Sequence, residues 1–468
     1  MVRTGVPRRT LTGAAWGVFA GLVMGVGLLA VTGVAVAHRL EATDRDPATL
    51  IDATHLPPLL TLPGEKVTLR YDIYCAPPGA DPESGVPCDA GGTVYMRAGD
   101  IGPFRSAPLR LDAAASQGRY VVDVPPDIAG ATGGFSYYAV LRSRTSGATT
   151  LLPAGGPLAP QRSRPLGQAI TVSLGSHVFG SARPSTARVA SASWGNAPGE
   201  VGLEQGPELQ PIGGSSFDVS PAGVVTLLDE ANHRVLQFTP GAATSRSVPV
   251  VVRGTLADLA VGEDGRMAVL ETVGDDGATP LIRSFDPSGR SLGAWHIAER
   301  NASSVAIGPD GPVALEYPSG QWMPVLEKSV GLAASAQRQR ARTGRLLGNG
   351  EELVVEREGD EARIAQIDAS GVRRSWRIQS STPLGEIQLA KPLGNEVVVV
   401  LRVYSDGRDE FEVLVLDDKG IAKRFSVGSG AWAETAPLGR FRLRGSSLFA
   451  LGSTSTRVFV DRYDLEVS

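Results

Sequence analysis

Along most of this chain, short apolar runs alternate with polar positions and are broken by Pro, Gly, Asn and Asp. A period of two punctuated by turn residues predicts strands joined by tight turns, hence an all-β protein. Ser215–Gly241 sets the pattern. Phe217 and Val219 alternate with polar neighbours, and Ser220–Gly223 supplies the Pro and Gly of a tight turn. Val224–Leu228 is a continuous β-branched and aliphatic run, as expected of a strand buried on both faces. Asp229–His233 then turns the chain into a third strand ending at Phe238.

The pattern repeats to the C-terminus. Second-strand runs begin at Val224, Met267, Pro312, Glu352, Glu396 and Ser447, at intervals of 43, 45, 40, 44 and 51 residues. Six runs at near-constant spacing predict six repeated units of about four strands each. Four third strands end alike, in Phe238–Gly241, Phe285–Gly289, Ile367–Gly371 and Leu416–Gly420. Fourth strands begin at Ser291, Val372 and Ile421, each with a late aromatic.

Asp229, Asn232, His233, Arg234 and Val235, followed by Phe238 and Gly241, resemble the NHL repeat, with Trp194-Gly195, Pro198-Gly199 and Pro211 as its lead-in. The resemblance implies a six-bladed β-propeller over 187–468. The sixth unit lacks a fourth strand, and Ala187–Gly195 carries the expected late Trp, so this segment is predicted to close the ring and leave no open edge. Propeller ligands sit at the axial channel, near the starts of the innermost strands. The candidate channel-lining residues are Ser216, Asp258, Ser304, Arg345, Gln388 and Arg442. Relatives that hydrolyse lactones or esters hold calcium at that place. One Asp beside two arginines is a poor donor set for a hard cation, so no metal site and no cofactor are assigned.

Upstream, Met1–Thr12 is basic, and Gly13–Ala37 is an uncharged run of 25 residues, long enough as a helix to span a bilayer. The arginines before it orient the N-terminus to the cytoplasm and the rest of the chain outside. A signal segment cleaved near Ala37 is the alternative; Arg8-Arg9-Thr10-Leu11 also loosely matches a twin-arginine signal. Residues 38–63 read as a spacer. Seven short alternating segments between 64 and 178 predict an immunoglobulin-like β-sandwich, the last of them Gln168–Leu174. Residues 179–186 read as a linker and 155–165 as a further loose segment, so the two domains are expected to fold separately.

Cys75 and Cys88, the only cysteines, bracket a Pro- and Gly-rich loop and predict a disulfide in an oxidising compartment; a metal site is the competing reading, but two thiolates without nearby histidines do not complete a zinc shell. A net charge of −4 on 468 residues, without a basic block, argues against nucleic acid as a partner. Val330–Arg345 interrupts the repeat with an Arg-rich stretch, read as a solvated loop rather than a basic patch for an acidic polymer. The five histidines are scattered; His233 with Asp229 is the single acid–base candidate, with a turn residue bonded to backbone as the simpler reading. The paired acids Asp275-Asp276, Glu351-Glu352 and Asp417-Asp418 read as surface.

These features predict an extracytoplasmic, membrane-anchored binding or scaffold protein, whose propeller loops contact a protein or an envelope glycan. A metal-dependent, lactonase-like hydrolase or lyase using the channel is the alternative, and a sensor needing a membrane partner is a third reading. The sequence names neither a ligand nor a catalytic residue.

Overall fold

The computed structural model describes residues 49–465 except 77–85, 116–117, 208, 255, 273–279, 298–301, 309–310, 317–319, 326–341 and 348. The predicted membrane segment and most of the Arg-rich interruption lie outside the described residues, as do Asp275 and Asp276. Among the described residues no helix is long and apolar enough to cross a membrane. The described chain is all-β.

Two sheets form the N-terminal part. One joins Thr49–Thr54, Thr68–Ala76, Arg119–Asp123 and Arg110–Leu111, with Val86–Pro87 on the edge of Thr68–Ala76. The other joins Leu60–Thr61, Gln161–Pro165, Phe135–Ser143, Ala90–Ala98 and Arg105–Pro108, with Thr149–Leu152 also pairing Phe135–Ser143. Alternation sends Leu69, Tyr71 and Ile73 from one sheet and Val94, Met96, Tyr137, Ala139 and Leu141 from the other into a shared core. Cys75 and Cys88 are disulfide-bonded, with Cα atoms 5.4 Å apart.

Three boundaries differ from the sequence reading. Thr49–Thr54, expected in the spacer, pairs antiparallel with Asp72–Ala76 and so belongs to the sandwich. Gln161–Pro165, expected to be loose, pairs antiparallel with Phe135–Tyr137 and buries Gln161 and Ser163. Ile170–Ser173, expected to be the last sandwich strand, instead pairs in parallel with Trp376–Gln379. Its Val172, with Leu174, joins Trp376 and Ile378 in a core of the C-terminal part. The parallel addition covers a sheet edge that would otherwise lie open.

The C-terminal part is a series of small antiparallel sheets in chain order. Their first strands are Phe217–Val219, Asp258–Val261, Ala302–Gly308, Arg345–Leu346, Leu384–Leu393 and Phe441–Arg444. Each of the six apolar runs found in the sequence is the second strand of its sheet. Three strands of the third sheet are described, and four or five of the others. Ala187–Ser193 pairs antiparallel with Arg457–Asp464 and supplies the fourth strand of the last sheet. First strands lie side by side: Asp258–Val261 packs against Phe217–Val219 and Ala302–Gly308, and Phe441–Arg444 packs against Leu384–Leu393 and Phe217–Val219.

The two parts do not hang free of each other. Leu59 and Leu60, both fully buried, pack on Val354, Ala365 and Ile367 of the fourth sheet. Both oxygens of Glu356 accept backbone N–H groups, from Leu59 and Leu60, each at 2.9 Å. Arg363 donates to both oxygens of Glu65 and to the Leu60 carbonyl. The apolar segment around Pro57-Pro58, read as part of a spacer, therefore docks the two parts together.

Candidate functional site

A cavity of about 3080 Å³ runs between the first strands of the C-terminal sheets and opens against the sandwich. It exceeds the roughly 300–1,000 Å³ usual for a small-molecule pocket, so the chemistry of its floor matters more than its size. Ser304, Arg345, Gln388 and Arg442 of the sequence-predicted residues line it.

Four of the six predicted residues form one buried cluster. Asp258, 1% exposed, accepts the Ser216 hydroxyl at 2.6 Å, the Ser304 hydroxyl at 2.7 Å, the Val305 N–H at 2.9 Å and the Arg442 guanidinium at 2.7 Å. Arg442 also donates to the Leu438 and Leu259 carbonyls. Residues from four different sheets are thereby tied at one carboxylate. With four donors Asp258 has no lone pair left for an incoming ligand. Its position makes it a clasp between first strands. Gln388 stands apart and donates to the Pro437 carbonyl at 3.1 Å.

Asp218, two residues beyond Ser216, repeats the theme. Its carboxylate accepts the N–H groups of Val219 and Val261, each at 2.8 Å, and lies 3.6 Å from the Arg444 guanidinium. Arg444 itself donates to the Val219 carbonyl.

Arg345 and Lys391 complete the floor. Neither side chain has a hydrogen bond or ion pair to a described residue; that of Arg345 carries only a cation–π contact, 5.3 Å from the Trp322 ring centre. Burial pushes the Arg345 guanidinium down to about 10; Asp218 opposes this, and Arg442 and Arg444 add to it. It stays charged at neutral pH. Burial and then the Arg345 charge push the Lys391 ammonium well below its ordinary value, with Asp218 opposing and Arg442 and Arg444 reinforcing. Three guanidiniums and one amine thus gather about two carboxylates already engaged by the protein.

That arrangement does not fit calcium. Among the described residues no three His, Cys, Asp or Glu side chains converge to hold a metal, and a guanidinium cluster repels a cation.

The chain matches no protein-family model and no curated protein. Solved structures similar to it are propeller-like. Virginiamycin B lyase from Staphylococcus aureus is 10% identical, with 53% of this chain and 94% of that one covered and a TM-score of 0.31. The PQQ-bound aldose sugar dehydrogenase from Streptomyces coelicolor is 12% identical, with 60% and 97% covered and a TM-score of 0.34. A protein of unknown function from Bacteroides thetaiotaomicron is 10% identical, with 89% and 98% covered and a TM-score of 0.31. Likeness at this level carries no argument about activity.

Elsewhere the candidates separate. His233 Nδ1 donates to the Val252 carbonyl at 2.8 Å, while Asp229 accepts from Arg234, Asn232 and the Gly202 N–H. No hydrogen bond joins His233 to Asp229, so this pair is a turn and not an acid–base couple. Glu351, read as surface, is buried beside Arg373. His55, read as part of the spacer, stacks on Tyr71 and joins Tyr137 to the Arg70 carbonyl.

Sequence reasoning missed Asp218, Arg444 and Lys391. The first two were accessible, because positions two apart share a strand face and each lies two residues beyond a predicted one. Lys391 had no such signal, since residues 386–392 all line the cavity and alternation does not single it out.

Proposed function

We propose that the protein is an extracytoplasmic binding protein, held to the membrane by residues 13–37, that receives an anionic group of its ligand on the cavity floor. The carrying observation is Arg345, a half-buried guanidinium that lines the cavity and stays charged with no described anionic partner. Guanidinium forks match carboxylate and phosphate oxygens, and an ion entering here meets donors already in place. The ligand is accordingly a protein or envelope glycan bearing carboxylate or phosphate.

On this reading the six sheets are blades of a propeller and the first strands surround its channel. The side-by-side packing of Leu384–Leu393, Phe441–Arg444, Phe217–Val219, Asp258–Val261 and Ala302–Gly308 in that order, and the pairing of Ala187–Ser193 with Arg457–Asp464, support it. The N-terminal sheets are an immunoglobulin-like sandwich over part of the channel mouth. The disulfide supports a location outside the cytoplasm.

The test is thermal unfolding of the full-length protein, purified in detergent, with phosphate, glycolate, chloride or calcium at matched ionic strength. A ligand that binds only the folded state raises the melting temperature by mass action. Phosphate or glycolate should raise it above the chloride value, and Arg345→Gln should abolish the rise. A rise with calcium alone would replace this reading with the metal-dependent hydrolase.

A further inference from the structure

The channel floor holds a nucleophile that anion binding does not need. Lys391 sits on Leu384–Leu393, the strand whose residues 386–392 line the cavity. The charges that act on it most are those of Arg345, Arg442 and Arg444, with the Asp218 carboxylate opposing them. Asp218 in turn is engaged by two backbone N–H groups and faces Arg444. Asp258 is saturated by four donors.

We propose that Lys391 is a covalent capture site, whose amine condenses with the aldehyde or ketone of a ligand that also carries a carboxylate, the guanidinium of Arg345 holding that carboxylate. This rests on the anion-binding reading and names the ligand class as a carbonyl acid. The amine lone pair adds to the carbonyl carbon, and the C=O π pair moves to oxygen. Both amine hydrogens leave with that oxygen as water, and a C=N bond forms. Nothing is oxidised or reduced, and the reaction reverses on hydration.

The physical reason is the cost of a fourth cation. A lysine desolvated beside other cations gives up its proton, and the free amine is the reactive species. The same guanidiniums that suppress its charge attract the carboxylate, so one cluster both frees the nucleophile and orients its partner.

The chain has five lysines, and Lys66, Lys328, Lys419 and Lys423 act as internal controls for Lys391. Full-length protein at pH 7 is incubated with glyoxylate and cyanoborohydride, and each lysine is assayed by peptide mass spectrometry. Incorporation at Lys391 should exceed that at any other lysine by at least about tenfold, since each unit of lowered pKa raises the free-amine fraction about tenfold. Lys391→Met, which like the free amine carries no charge, should lose that adduct while still responding to glycolate in thermal unfolding. Propanal, which lacks the carboxylate, should label Lys391 more slowly than glyoxylate does.

Even labelling of all five lysines, or none, with glycolate still raising the melting temperature, overturns the capture site and leaves the anion reading intact. Absence of both the adduct and the glycolate response overturns both.

Discussion

Arg442 reaches Asp258 across 184 positions of sequence and donates to it at 2.7 Å, with both side chains buried. The pair joins the first strand of the last sheet to the first strand of the second. In that burial neither partner can be removed cheaply, because the survivor keeps its desolvation cost and loses its counter-charge.

Arg442→Leu is therefore expected to lower stability by about 3–5 kcal/mol, the usual cost of breaking a buried ion pair from one side. Chemical denaturation of the two proteins measures it. Asp258→Asn in the Arg442→Leu background should recover part of the loss, since the amide carries no charge; a further loss of the same size would show that the two residues act independently.

The pH dependence has a sign fixed by three groups. Burial pushes the Glu356 carboxyl up to about 7, partly offset by the Leu59 and Leu60 N–H groups and by Arg363. Burial likewise pushes Glu230 up to about 7, against its bonds from Ser215, Ala257 and Leu256. For both, the folded chain holds a proton that the unfolded chain releases near 4.5. Their contribution to stability is full below pH 4.5 and is lost as pH rises to 7. His55 has the opposite sign: burial pushes it down to about 4, so its contribution is full above 6.5 and is lost as pH falls to 4. Comparing Glu356→Gln with the parent protein isolates one of these. The parent should lose stability more steeply than the variant between pH 4.5 and 7, with parallel curves outside that window. Parallel curves throughout would remove Glu356 from the account.

His177 bridges Glu412 at 2.6 Å and Glu410 at 2.9 Å, and Glu410 also accepts the Gly180 N–H. Both ring nitrogens face carboxylates, so full satisfaction takes an imidazolium or a proton on one carboxylate. His177→Leu leaves two buried acids short of a donor and should cost at least about 2 kcal/mol. Adding Glu410→Gln should restore part of it. Unfolding of the single and double variants gives the comparison, and an unchanged single variant would count against the His177 bridge.

Cys75 and Cys88 close a loop of sequence separation 13. Replacing both with Ser should cost about 3 kcal/mol in the chain-entropy account of a loop this short. Denaturation with and without reductant checks it: reductant should weaken the parent protein and leave the double variant unchanged.

Much was legible one strand at a time. The apolar runs from Val224, Met267, Pro312, Glu352, Glu396 and Ser447 are strands because local alternation and turn residues act over a few neighbours. Ser216, Asp258, Ser304 and Arg442 were recognisable as a set from their shared place at the starts of repeated units.

Tertiary structure decided the rest. No local signal says that Ile170–Ser173 leaves the sandwich for the edge beside Trp376, because an edge strand has the same pattern whichever sheet takes it. Nor does alternation single out Lys391, because residues 386–392 of Leu384–Leu393 all line the cavity, whichever face of the strand they occupy. The sequence determines which segments become strands, since that depends on near neighbours. Which charges are left unpaired at the cavity floor depends on residues such as Asp218, Arg345 and Lys391, which are far apart in the chain and brought together only by folding.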